Sequence, residues 1–403
     1  MNGAPTIDGS PGRALDSRRV NLSVMMFCPQ FRPVVGGAER QAEKLAVALA
    51  EAGCRVTILT PRLDPDSPDS ERVNHLTIER FPLTDLSRRC PVPGVAVLNI
   101  PYILWQVARA VRPRLKGADV LHCHLASLQT AGAALAGRIA HVPVLCKAAT
   151  AAHRSDLGEI EKTGASGRLV AWLVRTFIPN WVATTAAVEA ALIRAGVETR
   201  KIVRIPNGVE LPDELYTGSG AERVRGFLYV GRLSTKSRRD VPTLVRAFDR
   251  LATTYPDLEL AIVGGGELFE ETRRLAETCA ARDRIHLPGL DRPEKWLAWA
   301  DCFVLPSRRE GLSNALLEAM AAGLPCIAND IPPNREVLDD GKAGVLVPVE
   351  NCDALEAAMR AMVEDDGKAR SFALKAKERA ERCYSIRAVA DRYVNLYGSL
   401  LAP

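Results

Sequence analysis

The strongest constraint on this chain is a rhythm of short, almost wholly apolar runs alternating with amphipathic stretches of helical period, which proceeds once, breaks, and begins again. In the first pass Leu22 to Phe27 reads as a strand, Arg32 to Ala38 as a glycine-bearing loop, Glu39 to Ala52 as an amphipathic helix closed by Gly53, and Arg55 to Thr60 as the next strand. Helices follow at 102–112, 127–140, 168–177 and 186–195, with strands at 119–123, 143–147, 181–184 and 201–205. After a polar stretch around Glu210 to Gly220 the pattern restarts at Gly226 to Gly231. Strands are then expected at 258–263, 284–287, 301–305, 325–328 and 344–347, and helices at 241–254, 268–281, 293–299, 312–322 and 352–363. Strands without a polar face need covering on both sides, so each pass predicts a parallel sheet between two layers of helices.

Length agrees with two such domains, because 403 residues are too many for one hydrophobic core. The expected division is a disordered tail at 1–17, rich in Gly, Pro, Ser and Asp and lacking the apolar core of a secretory signal; a first domain at 18–207; a linker at 208–224; a second domain at 225–383; and a C-terminal helix at 384–403 that packs back on the first domain. Two facing domains of this kind leave a groove at the carboxyl ends of both sheets.

Composition excludes several classes. With 47% hydrophobic and 25% charged residues, and no stretch near the ~20 apolar residues a bilayer crossing needs, the chain reads as soluble and cytoplasmic. A net charge of +5 suits phosphate-bearing ligands or an anionic membrane surface but is too small and too dispersed for nucleic acid. The 10 cysteines are scattered without a CxxC, which reads as reduced, buried thiols. His122, Cys123 and His124 are too compressed for a structural zinc site, and no metal is expected.

Chemistry concentrates in SRREGLSNALLEAMAAGLP, where Glu310 and Glu318 stand near the start of a helix that follows the buried strand Asp301 to Leu305. Read as a helix from Leu312, this segment would offer unpaired first-turn amides at Gly311, Leu312 and Ser313 as a diphosphate site. Eight residues of helix advance ~12 Å, so the two carboxylates need not hold the same group. One could take sugar hydroxyls and the other ribose hydroxyls; a pair of surface glutamates stabilising a helix start gives the same residues. Gly36 and Gly37, after the first strand, allow close backbone approach, as does a tight turn. Gly231, Arg232 and Lys236, after the first strand of the second domain, could neutralise a leaving diphosphate, or form a solvated basic turn. Gly264, Gly265 and Gly266 form a further strand-end loop suited to a phosphate or nucleobase. His122 and His124 fall on one side of the strand from Asp119, where a histidine could bond a sugar hydroxyl or serve the structure alone.

PSRREGLSNALLEAMAAGLPCIA, the paired glycines at 36 and 37, IPNGVE at 205–210, VGRL at 230–233 with Lys236, and the glycine loop at 264–266 together resemble the retaining glycosyltransferases of family 4. The resemblance spans residues 20 to 400 and implies the GT-B fold, α/β with two Rossmann-like three-layer domains facing across a deep cleft. It departs from the family at Glu210, where Asp is common, and at Ser237, where Gly commonly follows the lysine. By resemblance Glu310 contacts the donor sugar, Glu318 holds the ribose, and Arg232 with Lys236 clamps the diphosphate. Gly37 approaches the donor from the first domain, His124 lies beside the reacting sugar, and Glu39 lies near the acceptor. The implied activity is hexosyl transfer with retention from a UDP- or GDP-sugar to a carbohydrate or lipid-linked acceptor in polysaccharide or glycolipid synthesis, with no cofactor and no essential metal.

Residues 96–112 and 162–181 carry Tyr102, Trp105, Arg109, Arg112, Lys162, Arg168, Trp172, Arg175 and Phe177, an aromatic and basic mixture that suits either an anionic membrane surface, making the enzyme peripheral, or core packing. A nonhydrolysing nucleotide-sugar epimerase, a glucan or disaccharide-phosphate synthase, and a non-catalytic nucleotide-sugar-binding protein are the competing readings.

Overall fold

A computed structural model describes residues 21–33, 36–73, 76–86, 95–148, 157–212, 223–235 and 239–402. The expected tail at 1–17, much of the expected linker, and Lys236 lie outside the described residues. The chain divides into two compact units, Met1–Gly208 with Ile386–Pro403, and Val209–Ser385.

The first unit runs β1 (Ser23–Phe27), α1 (Gly37–Glu51), β2 (Arg55–Pro61), β3 (Ser70–Val73), β4 (Leu76–Phe81), α2 (Val95–Val111), β5 (Val120–His124), α3 (Leu128–Ile139), β6 (Val144–Ala148), α4 (Leu157–Glu161), α5 (Ala165–Phe177), β7 (Asn180–Ala183), α6 (Ala186–Arg194) and β8 (Ile202–Arg204). Its sheet has the order β3-β4-β2-β1-β5-β6-β7-β8 and is parallel except for the β3–β4 pair. Successive residues of one strand serve opposite cores. Phe27 packs with Val107, Ala134 and Val174 under α2, α3 and α5, whereas Met26 packs with Leu45 and Leu49 under α1.

The second unit runs β9 (Gly226–Val230), α7 (Val241–Thr254), β10 (Glu259–Val263), α8 (Phe269–Glu277), β11 (Ile285–Gly289), α9 (Pro293–Trp299), β12 (Cys302–Leu305), α10 (Asn314–Ala321), β13 (Cys326–Asn329), α11 (Pro332–Val337), β14 (Val345–Val347), α12 (Cys352–Glu364) and α13 (Asp366–Arg379). Its sheet is wholly parallel in the order β11-β10-β9-β12-β13-β14. Phe227 and Tyr229 face the core under α7 and α12, and Leu228 between them faces the core under α9 and α10. The last helix, α14 (Ile386–Leu401), belongs to the first unit and buries Ile386, Val389, Ala390, Tyr393, Val394 and Tyr397, the single stripe that helical period dictates.

Both sheets are doubly wound, although only the first carries an antiparallel edge strand. Strand order reverses between β1 and β5 in the first unit and between β9 and β12 in the second. Connections on either side of such a reversal leave toward opposite faces, so a crevice opens at the carboxyl end of those strands. The segments that follow them, 125–127, 231–240 and 306–313, are where chemistry is expected.

Several elements differ from the sequence reading, among them the short helices α4 and α11, which were not expected. The β3–β4 hairpin was not expected, because SERV is polar and LTIERF alternates, as befits the sheet edge rather than its middle. The helix expected at 312–322 begins at Asn314, since Leu312 is drawn into the core and the Ser313 hydroxyl accepts the Leu316 N–H at 3.4 Å as the cap.

Tyr397 ties α14 to the sheet through a 2.7 Å bond between its hydroxyl and His122 Nδ1, both fully buried. Tyr397→Phe keeps the packing but orphans that nitrogen, and should lower the unfolding free energy by about 1–3 kcal/mol in a urea titration. Unchanged stability would show the bond to be idle.

Candidate functional site

In the second unit the loops after β9, β10 and β12 meet at the carboxyl edge of the sheet. The first two are locked backbone to backbone: Gly231 N–H donates to Val263 O at 2.9 Å, Leu233 N–H to Gly265 O at 3.0 Å, and Leu268 N–H to Leu233 O at 3.0 Å. Gly264 and Gly266 have φ of +147° and +145°, and a Cβ on them would lie 1.9 Å from Gly231 O and 2.1 Å from Leu233 O. Glycine is required at both for dihedral and for space. The third loop joins through Asp240 N–H, which donates to Pro306 O at 2.6 Å, and a bridge between Arg239 and Ser307.

Glu310 sits at this junction with its side chain only 13% exposed. Its Oε1 accepts from Ser307 Oγ at 2.8 Å and faces Arg239 Nη2 at 3.1 Å, so both contacts fall on one oxygen. The Arg239 guanidinium lies 6.0 Å from the centre of the Tyr229 ring and against Gly231, where a Cβ would stand 2.0 Å from Nη1. Burial, the largest single cause, would lower the pKa of Arg239, but the Glu310 carboxylate and the Tyr229 phenol together outweigh it and the net shift is upward. The guanidinium therefore stays charged. Arg232, Arg239 and Arg246, with Glu271 as the one acid, line a cavity of about 260 Å³ beside this pair, so its lining is net positive.

The sequence candidates take these places. Arg232 is exposed beyond Gly231, and Gly265 and Gly266 form the braced loop, with Leu290 packed 3.0 Å from where a Gly265 Cβ would stand. Glu318 is half-buried on α10. Glu310 precedes that helix instead of opening it, so the spacing argument from helix rise does not apply to the pair. Gly311, Leu312 and Ser313 are buried and lie ahead of the helix, which makes Asn314 and Ala315 the first-turn residues. Lys236 lies outside the described residues.

In the first unit Gly36 is the N-cap of α1 and Gly37 its exposed first residue. Glu39, expected near the acceptor, is buried and accepts the Gly36 N–H at 2.8 Å, a capping role that uses its carboxylate. His122 and His124 do share a side of β5, their rings stacked 4.6 Å apart. Lys147 pairs in register with His124 from β6 and is 2% exposed. Burial first, and Lys147 second, hold His122 well below its ordinary value; burial, His122 and Lys147 do the same to His124. Both imidazoles are neutral near pH 7, and the Nε2 atom of each is buried without a partner.

Residues 36–208 match the family described as "Glycosyl transferase 4-like domain", and residues 220–379 match "Glycosyl transferases group 1". This chain belongs to the family 4, group 1 glycosyltransferases. It is 28% identical to a phosphatidyl-myo-inositol mannosyltransferase of Mycolicibacterium smegmatis over 93% of each chain. Identity is again 28% to a glycogen synthase of Mycobacterium tuberculosis, over 93% of this chain and 94% of that one. Sucrose-phosphate synthase from Thermosynechococcus elongatus superposes with a TM-score of 0.73 at 22% identity, covering 94% of this chain and 99% of that structure. The architecture is the two-domain α/β/α GT-B fold, and the activity is that of a hexosyltransferase using a nucleotide-sugar donor.

Within this glycosyltransferase, sequence reasoning missed Arg239, Ser307, Tyr229 and Lys147. Arg239 is hidden in the basic run KSRRD, but it directly precedes Asp240 and a proline-started helix, a position fixed against the strand ends. Lys147 had a plainer signal, a lysine inside the apolar run VLCKA. Among the described residues no group of three or more His, Cys, Asp or Glu is disposed to hold a metal ion.

Burial pushes Lys147 down from 10.5 to about 7. Above pH 7 the folded chain releases this proton while the unfolded chain keeps it, so this contribution to stability rises with pH. Below the ordinary thiol value of 9.0, where buried Cys146 does not yet add the opposite slope, wild type should gain about 2 kcal/mol over Lys147→Met between pH 7 and 9. Denaturant unfolding at both pH values checks this, and a constant difference would contradict it.

Proposed function

We propose that the enzyme is a retaining hexosyltransferase that takes a UDP- or GDP-sugar and builds a carbohydrate, free or lipid-linked, at the cytoplasmic side of a membrane during cell-surface polysaccharide or glycolipid synthesis. The observation that carries this reading is the Glu310 carboxylate. Its side chain is 13% exposed and is held through Oε1 by Ser307 and Arg239, and in this reading Oε2 takes the ligand hydroxyls. A carboxylate held this way suits a sugar with adjacent hydroxyl donors. Glu318 takes the ribose. Arg232 and, by the family resemblance, Lys236 draw the diphosphate to the loop at Gly231, against which the charged Arg239 lies and where Gly265, Gly266 and the residues ahead of α10, Gly311, Leu312 and Ser313, let backbone come close.

In the reaction the anomeric carbon's bond to the β-phosphate oxygen breaks and a bond to the acceptor hydroxyl oxygen forms on the same face. The acceptor proton passes to the departing phosphate oxygen. Arginine and lysine charge stabilises that leaving group, so the site's electrostatic work is concentrated where negative charge grows. From the first unit, Gly36 and Gly37 approach the donor phosphates, and His124, being neutral, offers a hydrogen bond to a sugar hydroxyl without adding a cation that would oppose an oxocarbenium-like carbon.

The acceptor is chosen by chemistry that differs within the family. The relatives above are named for an inositol lipid, glycogen and a sugar phosphate, at 28%, 28% and 22% identity to this chain. Purified enzyme screened by thermal shift and hydrolysis against UDP- and GDP-sugars, then given acceptor extracts and read by mass analysis, identifies both substrates. With the preferred donor, Glu310→Gln should slow transfer at least about 100-fold while leaving nucleoside diphosphate affinity within about threefold. Glutamine retains a partner for Arg239, whereas alanine would leave a buried charge unpaired. A rate within a few-fold of wild type would overturn the assignment of Glu310. Release of an isomerised, untransferred nucleotide sugar would favour the epimerase reading.

A further inference from the structure

Three helices packed on one face of the first unit's sheet carry cations and no acids. Helices α2, α3 and α5 carry Arg109, Arg138, Arg168 and Arg175 and no aspartate or glutamate; the short α4 beside them carries Glu161, which pairs with Arg175. The outward stripes of two of these helices combine that charge with large apolar groups. Along α2 and the turn after it the exposed positions are Leu98, Pro101, Trp105, Arg109 and Arg112, spaced by three and four residues; along α5 they include Arg168, Leu169 and Trp172.

These are full-sized side chains left in solvent. Leu98 is 69% exposed, Trp105 53%, Leu169 40% and Trp172 54%. Core packing, the competing use of the two tryptophans, is thereby excluded. Trp105 is held ready by Tyr102, stacked at 6.1 Å, and by the Arg109 guanidinium, 5.3 Å from its ring centre. Arg175 is spent on Glu161 and the Ala195 carbonyl. Among the described residues no carboxylate pairs with Arg109, Arg112 or Arg168.

We propose that the exposed stripes of α2 and α5 dock the enzyme on an anionic lipid bilayer, with Trp105, Trp172, Leu98 and Leu169 entering the headgroup and acyl boundary and Arg109, Arg112 and Arg168 meeting lipid phosphates. Indole rings and leucines beside arginines match an interface that is wet and negative on one side and apolar on the other. A second copy of this chain would set arginines against arginines. A nucleic acid would engage the guanidinium groups and leave the leucines in water. The surface uses none of the residues assigned to sugar transfer, so the inference goes beyond that reading and can fail without it.

Flotation of the full chain with vesicles, in the absence of nucleotide sugar, tests it. Binding to vesicles of phosphatidylglycerol mixed with phosphatidylcholine should exceed binding to phosphatidylcholine alone by at least about tenfold and should weaken as salt rises. Trp105→Ala with Trp172→Ala should lose about tenfold in partitioning while circular dichroism and melting temperature are retained, because both side chains are exposed. Arg109→Gln with Arg168→Gln should remove the preference for the anionic vesicles. Equal binding to both vesicle types, no binding, or tryptophan variants that partition like wild type would overturn the proposal. So would a dimer that the tryptophan substitutions convert to monomer.

Discussion

The Arg239–Glu310 ion pair is the constraint on which the loops at the carboxyl edge of the second unit's sheet depend. It joins the loop after β9 to the loop after β12 across the point where strand order reverses. Enclosing two charges costs more than their attraction returns unless further hydrogen bonds complete the arrangement, so a pair of this kind is poor evidence for stability and better evidence for fixed geometry. Its surroundings agree. Ser307 supplies the additional donor, Tyr229 underlies the guanidinium, and Gly231 is glycine because a Cβ would stand 2.0 Å from Arg239 Nη1. The glycine loop is held in turn against that same segment through the Gly231, Leu233 and Leu268 amides. The carboxylate, the cations and the close-approach backbone thus belong to one braced assembly.

The first unit is built on the opposite electrostatic choice. Where the second unit keeps a charged pair near its surface, the first buries His122, His124 and Lys147 together with Tyr393 and Tyr397 and suppresses their charge. Desolvation is the leading cause in each case, so the suppressed charge follows from burial on the face of the sheet that α14 covers, with the Lys147 cation a smaller cause for the two histidines. The last helix, remote in sequence, therefore helps set the protonation of the strand that ends at His124. The same unit's other helical layer carries its cations outward beside tryptophan.

Much of the fold was legible because parallel strands buried on both faces leave unmistakable apolar runs. Strands at Gly226, Glu259, Cys302 and Cys326, and the helices between them, fall within a few residues of where period and breakers put them. The β3–β4 hairpin was not legible, since an edge strand needs only one apolar face and SERV lacks even that. The short helix α11 was masked by its own prolines, which read as a break although they occupy the first turn, where no amide is missed. At the site, Glu310 was visible from its place after a buried strand, and the shared side of His122 and His124 from simple alternation. The start of α10 was misplaced because an apolar residue at 312 continues the helical period while belonging to the core. Arg239 escaped notice for a different reason: in a run of basic residues, sequence cannot say which one turns inward, and only the position of the loop after β12 decides it.

The most direct test of this account is a double-mutant cycle on donor affinity, measured by calorimetry with the nucleotide sugar the enzyme prefers, for wild type, Arg239→Gln, Glu310→Gln and the double variant. If the pair shapes the sugar-binding carboxylate, the two losses should be coupled by about 1 kcal/mol or more. Losses that add to within about 0.5 kcal/mol would contradict it, because the residues would then act on the donor independently.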